Sequence, residues 1–222
     1  MLRIAHRGAS AYAVENSLAA FKKAVELEVD YIEADVQLTK DLVPVIRHDK
    51  LLDRTTNLKG YLNDYTFETL QKEARLSNGE QILHLEELCR FAKAAKTRVY
   101  IDFKAFGHEL EVIPVIRRHL TADAFIFGAF HAEALLKVKQ QYDDVTTVLI
   151  LEGNLLNLEK EIKDCQCDIV AFCYDSIDPT AVQRVHALNK KVFTWTVDDP
   201  RDIQRAKEMG VDGITSNCPD LI

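Results

Sequence analysis

Short runs of β-branched or aromatic residues recur along the chain and alternate with longer stretches whose apolar positions return every three to four residues. The short runs, at residues 3–6, 31–36, 99–103, 124–130, 147–151, 169–173, 192–197 and 213–216, predict eight strands. Helical spacing follows most of them: residues 17–27, with Leu18, Phe21, Val25 and Leu27 apolar, then 85–95, 109–120, 132–142, 155–164, 179–188 and 200–209. Pro179 and Pro200 stand where a first helical residue is expected. Strands alternating with helices over 222 residues predict an α/β protein, a (β/α)8 TIM barrel in one domain spanning 1–222. An open doubly wound sheet is the alternative, but its first βα turn is usually GxGxxG, and His6-Arg7-Gly8-Ala9-Ser10 is not. Residues from about 51 to 81 fit neither period and read as an excursion over the barrel mouth, punctuated by Gly60 and Asn78-Gly79, with a short helix at 66–74. The chain stops at Ile222, so the eighth helix is expected to be truncated or absent.

The stretch Tyr31 to Asp49 reads as a strand that turns over and returns beside itself. Alternation puts Glu33 and Asp35 on one face. A two-residue turn at Asp41-Leu42 pairs Lys40 with Val43 and brings His48 opposite Asp35. Leu42 fits poorly where such a turn wants glycine or asparagine, and a wider turn would shift His48.

Composition narrows the class. Apolar residues make up 47% and charged residues 28%, enough for a sizeable core in a soluble chain. A net charge of −7 disfavours nucleic acid and stable membrane association. Five cysteines with no CxxC pair argue against a zinc site or a disulfide framework. With no signal peptide and no apolar run of membrane-spanning length, the expected location is cytoplasmic. Oligomeric state is not readable from these features.

In a parallel barrel, chemistry sits at the C-terminal strand ends. Those ends carry His6 and Arg7, Glu33 and Asp35 with His48 returning beside them, Asp102 and Lys104, Trp195, and Asn217. Three carboxylates suit a hard divalent cation, Mg²⁺ or Ca²⁺. Arg7 and Lys104 are fixed cations of the kind that hold phosphate, and two histidines can divide acid and base roles. Taken singly, each residue is more readily a turn cap, a satisfied histidine or a solvated lysine. Together they describe phosphodiester cleavage.

Several motifs then add up to a resemblance. Ile4-Ala5-His6-Arg7-Gly8 resembles the HRG opening of the glycerophosphodiester phosphodiesterase family, and Val14-Glu15-Asn16-Ser17-Leu18-Ala19-Ala20-Phe21 its PENT-x-x-AF segment. The run from Ile32 to Asp41 is similar to IE-x-DV-x-LT-x-D, and His48-Asp49 with Leu52, Arg54 and Thr55 to HD-x-x-L-x-R-T. Trp195-Thr196-Val197 and Gly210-Val211-Asp212-Gly213-Ile214 resemble the late WTV and GVDGI segments.

The resemblance implies a barrel with a small insertion after the HD motif. It implies hydrolysis of glycerophosphodiesters, such as glycerophosphocholine or glycerophosphoethanolamine, to sn-glycerol 3-phosphate and an alcohol. Carried over residue by residue, it makes His6 and His48 the catalytic pair and Glu33, Asp35 and Asp102 ligands of one divalent cation. Arg7 and Lys104 would hold the phosphate, Glu15 and Asn16 would line the site, and Trp195 and Phe130 would form an apolar wall. The chemistry it implies is attack by the glycerol 2-hydroxyl to give a cyclic phosphate that water opens. Asp102 replaces the usual Glu, Val14 the usual Pro, Leu42 the usual hairpin Gly, Gly128-Ala129-Phe130 a Ser-containing stretch, and Asn217 a common Asp. Two other readings are a barrel that binds phosphorylated metabolites without turnover, and phospholipase D-like action on lysophospholipids. The latter calls for an exposed apolar rim or a secretory signal, and the sequence displays neither.

Overall fold

The computed structural model describes residues 1–222. Eight parallel strands form one closed sheet: β1 (Leu2–Ala5), β2 (Tyr31–Leu38), β4 (Arg98–Phe103), β5 (Phe125–Ala129), β6 (Thr146–Leu151), β7 (Ile169–Cys173), β8 (Lys191–Trp195) and β9 (Gly213–Ser216). Pairing of β1 with both β9 and β2 closes the ring, so the fold is a (β/α)8 TIM barrel. A ninth strand, β3 (Pro44–Ile46), runs antiparallel on β2.

Helices cover the barrel: α1 (Leu18–Glu26), α3 (Leu85–Ala95), α4 (Glu109–Arg117), α5 (Ala132–Gln141), α6 (Leu158–Cys165), α7 (Pro179–His186) and α8 (Pro200–Met209). Their starts follow from local chemistry. The Ser17 hydroxyl accepts from the Ala20 amide, and the Asp178 and Asp199 carboxylates cap α7 and α8 just before Pro179 and Pro200. His84 and Glu87 form a reciprocal cap on α3. After β9 comes a single 3-10 turn, Pro219–Leu221. No helix is long and apolar enough to cross a membrane.

Alternation along the strands sorts side chains into two cores. The larger one lies between sheet and helices and includes Phe21, Phe127, Phe172 and Leu88. The smaller fills the barrel: Ile4, Tyr31, Tyr100, Ile126, Val148, Ile150, Ile169, Ala171 and Phe193. A Cβ on Gly128 would lie 2.6 Å from the Tyr100 ring, so glycine there makes room for the aromatic that floors the site. Residues 51–82 build their own small core, in which Leu52, Leu62 and Leu70 pack on Val45. The helix inside it, α2 (Phe67–Glu73), is capped by Thr66.

The hairpin corrects one expectation. Val36 faces Ile46 and Leu38 faces Pro44, so Asp35 is opposite Arg47, not His48. The turn is wider by one residue. The Thr39 amide donates to the Val43 carbonyl at 3.1 Å, and Leu42 takes a left-handed φ of 60° inside the loop. The Thr39 hydroxyl accepts from the Val43 amide at 3.0 Å, which holds the wide turn without glycine.

Candidate active site

The last backbone hydrogen bond of the hairpin runs from the Arg47 amide to the Asp35 carbonyl at 2.8 Å, one residue short of His48. The Gln37 side-chain amide donates to the His48 carbonyl at 2.5 Å, so His48 is placed by a side chain of β2 and not by the strand register. Its imidazole reaches a cavity of about 110 Å³ at the C-terminal end of the barrel. His6, Arg7, Glu33, Asp35, Asp102 and Lys104 line the same cavity, with Phe130 and Trp195 as its apolar wall.

The three carboxylates are buried, and one oxygen of each lies within 4.8 Å of the others. Burial, then the charges of Asp35 and Asp102, push the Glu33 carboxyl well above the usual carboxylate range. Burial raises Asp102 to about 6 against the opposing pull of Lys104. Lys104 Nζ sits 2.5 Å from Asp102 Oδ2 and 3.2 Å from Asp35 Oδ1. Asp102 Oδ1 is buried with no partner. An all-oxygen donor set, mutual repulsion and an orphaned acceptor together fit a hard divalent cation.

The two histidines differ in their partners. Asn217 Nδ2 donates to Asp198 Oδ2 at 2.6 Å, which turns its carbonyl oxygen toward His6 Nδ1 at 2.8 Å. His6 Nδ1 therefore carries the proton, and Nε2 keeps its lone pair. Burial, then the neighbouring Arg7 charge, push His6 down to about 4, so it is neutral at pH 7. His48 Nδ1 instead donates to the Asp49 carboxylate at 2.7 Å. Asp49 is held well below the usual carboxylate range, because hydrogen bonds from Arg54 and His48 outweigh its burial.

The loop after β1 is bent to aim Arg7. Arg7 and Gly8 have φ of 55° and 79°, and a Cβ on Gly8 would strike the Ala20 backbone at 2.7 Å. The Arg7 amide donates to Glu33 Oε2 at 2.6 Å, and its guanidinium pairs with Glu15 at 2.9 Å. Glu15 also receives two hydrogen bonds from Arg54. Asn16 is buried, donating to Asp35 Oδ2 at 2.8 Å and accepting from the Asp35 amide at 3.3 Å. Glu15 and Asn16 thus stand behind the cavity and not on its wall, because their polar atoms are already used by Arg7, Arg54 and Asp35. Trp195 spends its indole N–H on the Ala171 carbonyl at 3.2 Å and meets Phe130 edge-on.

The inner cavity opens into an outer one of about 760 Å³, walled by Lys50 and the excursion residues Leu51, Arg54 and Tyr61. A groove of about 380 Å³ beside it is lined by Leu42, Tyr61, Leu62 and Phe106. Leu42, Leu51, Tyr61 and Phe106 are 43–57% exposed, so the mouth does carry an apolar rim. They lie in aperiodic loops, where sequence pattern gave no sign of them. Glu152 lines both the inner and outer cavities and was not among the expected site residues. Strand parity marks it: Val148 and Ile150 face the barrel interior, and Glu152 is the next position on that side.

Known proteins resemble this chain over nearly its whole length. The family model described as the glycerophosphoryl diester phosphodiesterase family matches residues 6–221. YhdW of Bacillus subtilis is 35% identical, covering 100% of this chain and 96% of its own. A glycerophosphodiester phosphodiesterase of Caldanaerobacter subterraneus subsp. tengcongensis is 33% identical, with the same coverage of both chains. Among solved structures, a phosphodiesterase of Oleispira antarctica in complex with the product sn-glycerol 3-phosphate superposes with a TM-score of 0.92 at 24% identity, covering 98% of this chain and 93% of that one. With the family model spanning nearly its whole length, this chain belongs to the glycerophosphoryl diester phosphodiesterase family.

Proposed function

We propose that the protein is a metal-dependent glycerophosphodiesterase that releases sn-glycerol 3-phosphate and an alcohol, using His6 and His48 as its acid/base pair. The observation that carries this reading is the buried Glu33–Asp35–Asp102 cluster, with its orphaned Asp102 oxygen, beside two differently partnered histidines. Glu33, Asp35 and Asp102 would hold one Mg²⁺ or Ca²⁺. Such an ion, when bound, neutralises charge on phosphoryl oxygens and makes a nearby hydroxyl easier to ionise.

The residues of the chain do the rest. Arg7 and Lys104 hold the non-bridging oxygens, and neither can be replaced by a neutral group without leaving phosphate charge uncompensated. His6, neutral and with Nε2 free, takes the proton of the attacking hydroxyl. His48, whose Nδ1–H is held by a carboxylate, gives its Nε2 proton to the departing alkoxide at the junction of the cavities; the two histidines then exchange roles, His48 taking a proton from the water that opens the cyclic phosphate and His6 returning its proton to the glycerol 2-oxygen. The five cysteines are all free, which fits a reducing compartment such as the cytoplasm.

The test is release of glycerol 3-phosphate from glycerophosphocholine with Mg²⁺, with Ca²⁺ and with EDTA. His6→Ala and His48→Ala should each lower kcat by roughly 10²–10⁴, and EDTA should abolish activity. Turnover that survives EDTA would break the carboxylate–metal reading, and full activity of either variant would remove that histidine from the chemistry. One observation favours a second reading. The groove has one apolar side, made by Leu42, Tyr61, Leu62 and Phe106, and is continuous with the outer cavity through Tyr61, Lys50 and Lys104, so that side would accept the acyl chain of a lysophospholipid. Choline release from lysophosphatidylcholine exceeding that from glycerophosphocholine would favour this reading over the first.

A further inference from the structure

The inner and outer cavities share four lining residues: His48, Lys104, Phe130 and Glu152. Three of them are engaged. Lys104 pairs with Asp35 and Asp102, His48 with Asp49, and Phe130 has Lys104 Nζ 4.8 Å from its ring centre. Glu152 is exposed at the end of β6, and its carboxylate makes neither a hydrogen bond nor an ion pair. It is therefore the one unpartnered charge at the junction. We propose that Glu152 selects diesters whose leaving alcohol carries a primary or quaternary ammonium group. This inference rests on the phosphodiesterase reading and specifies which leaving groups that site favours.

The inner cavity has room for only one of the two alcohols, and the proposed attack of a glycerol hydroxyl beside His6 makes the glycerol the inner one. The inner cavity, about 110 Å³, holds the cations and the acidic cluster and has room for little beyond a phosphoryl group and part of a glycerol. The leaving alcohol must therefore extend into the outer cavity, which is about 760 Å³ and open to water. Its ester oxygen passes the junction, where His48 stands to protonate it. A charged group a few bonds beyond that oxygen comes alongside Glu152.

The other charges of the outer cavity do not compete at this position. Asp49 and Arg54 neutralise one another at 2.7 Å, and Asp53 is occupied by Lys59 at 3.7 Å and by the Gly60 amide at 2.9 Å. Lys50 has no side-chain partner but lines only the outer cavity and the groove, away from the junction. Tyr61, 54% exposed on the outer wall, adds an aromatic surface of the kind that attracts ammonium groups. A carboxylate and an aromatic ring together favour a cation and disfavour an anion.

The experiment compares kcat/KM for glycerophosphocholine, glycerophosphoethanolamine and glycerophosphoglycerol in the wild type, Glu152→Gln and Glu152→Lys. The two substrates with an ammonium-bearing alcohol should be favoured over the one with a neutral alcohol by roughly fivefold, the scale of one exposed charge pair. Glu152→Gln should bring that ratio toward one and Glu152→Lys should invert it. The change should be carried by KM, because the contact exists in ground and transition states alike, and high salt should compress it. A ratio that Glu152→Gln leaves unchanged, or an equal loss on all three substrates, would overturn the inference while leaving the phosphodiesterase reading intact. A wild type inactive on every diester would overturn that reading and the inference with it.

Discussion

Glu33 shows how a residue of the proposed metal site costs the fold stability. Its carboxylate is buried, faces Asp35 and Asp102, and has one amide donor, from Arg7. Burial and like charge raise its folded pKa above the ordinary value of 4.5, so the folded state holds this proton more tightly than the unfolded one. Stability is therefore lost as pH rises through the folded pKa. Glu33→Gln keeps an oxygen for the Arg7 amide and removes the charge. In EDTA it should raise stability by about 1 kcal/mol, or some 2–4 °C in melting temperature, and the gain should be larger at pH 8 than at pH 5. The variant should also lose the stabilisation that Mg²⁺ or Ca²⁺ gives the wild type. Thermal melts with and without metal check both, and a variant less stable than wild type in EDTA would refute the repulsion argument. Taken singly, none of the carboxylates and histidines would have stood out; they were legible in the sequence because they fall together at strand ends. Glu152 was not, because Glu152-Gly153-Asn154 reads as an ordinary polar loop.

At the scale of elements, strand alternation carried most of the fold, since barrel strands have two buried faces of different composition. The β2–β3 hairpin was the exception. A one-residue change in loop length shifts every pair, and nothing in Lys40-Asp41-Leu42 announces that the Thr39 side chain closes the wider loop. Leu42 occupies left-handed backbone and is 57% exposed, so it bears the strain without packing in return. Leu42→Gly should stabilise the protein by about 0.5–1 kcal/mol, read as a rise in melting temperature; no rise would mean that its apolar contacts in the rim outweigh the strain. The excursion is tied to the catalytic end by Arg54, which bridges Glu15 and Asp49 and so joins the loop after β1 to the His48 segment. Helix α6 begins at Leu158, three residues later than apolar spacing predicts, and α4, which contains Pro114, ends at Arg117.

At the scale of the whole molecule, the barrel closes where its first and last strands meet. His6 donates its amide hydrogen to the Ser216 carbonyl at 2.9 Å, and its imidazole leans on Asn217, 211 positions away. Asn217→Ala should leave Nδ1 only the Thr196 hydroxyl, 3.5 Å away, and lower kcat about 10-fold or more with little change in KM; steady-state kinetics with wild-type melting behaviour would show this, and an unchanged kcat would free His6 of its dependence on the far strand. The seam has a consequence for synthesis. A nascent chain leaving the ribosome displays β1 early, and most of the site follows by the time Asp102 and Lys104 emerge. The acceptor that sets the His6 proton arrives only with the closing strand. Until then the chain carries the groups proposed to bind metal and phosphate, but the proposed base is not oriented. An unfinished or C-terminally clipped chain, lacking both that acceptor and the strand that joins β8 to β1, is thus expected to be silent as a hydrolase.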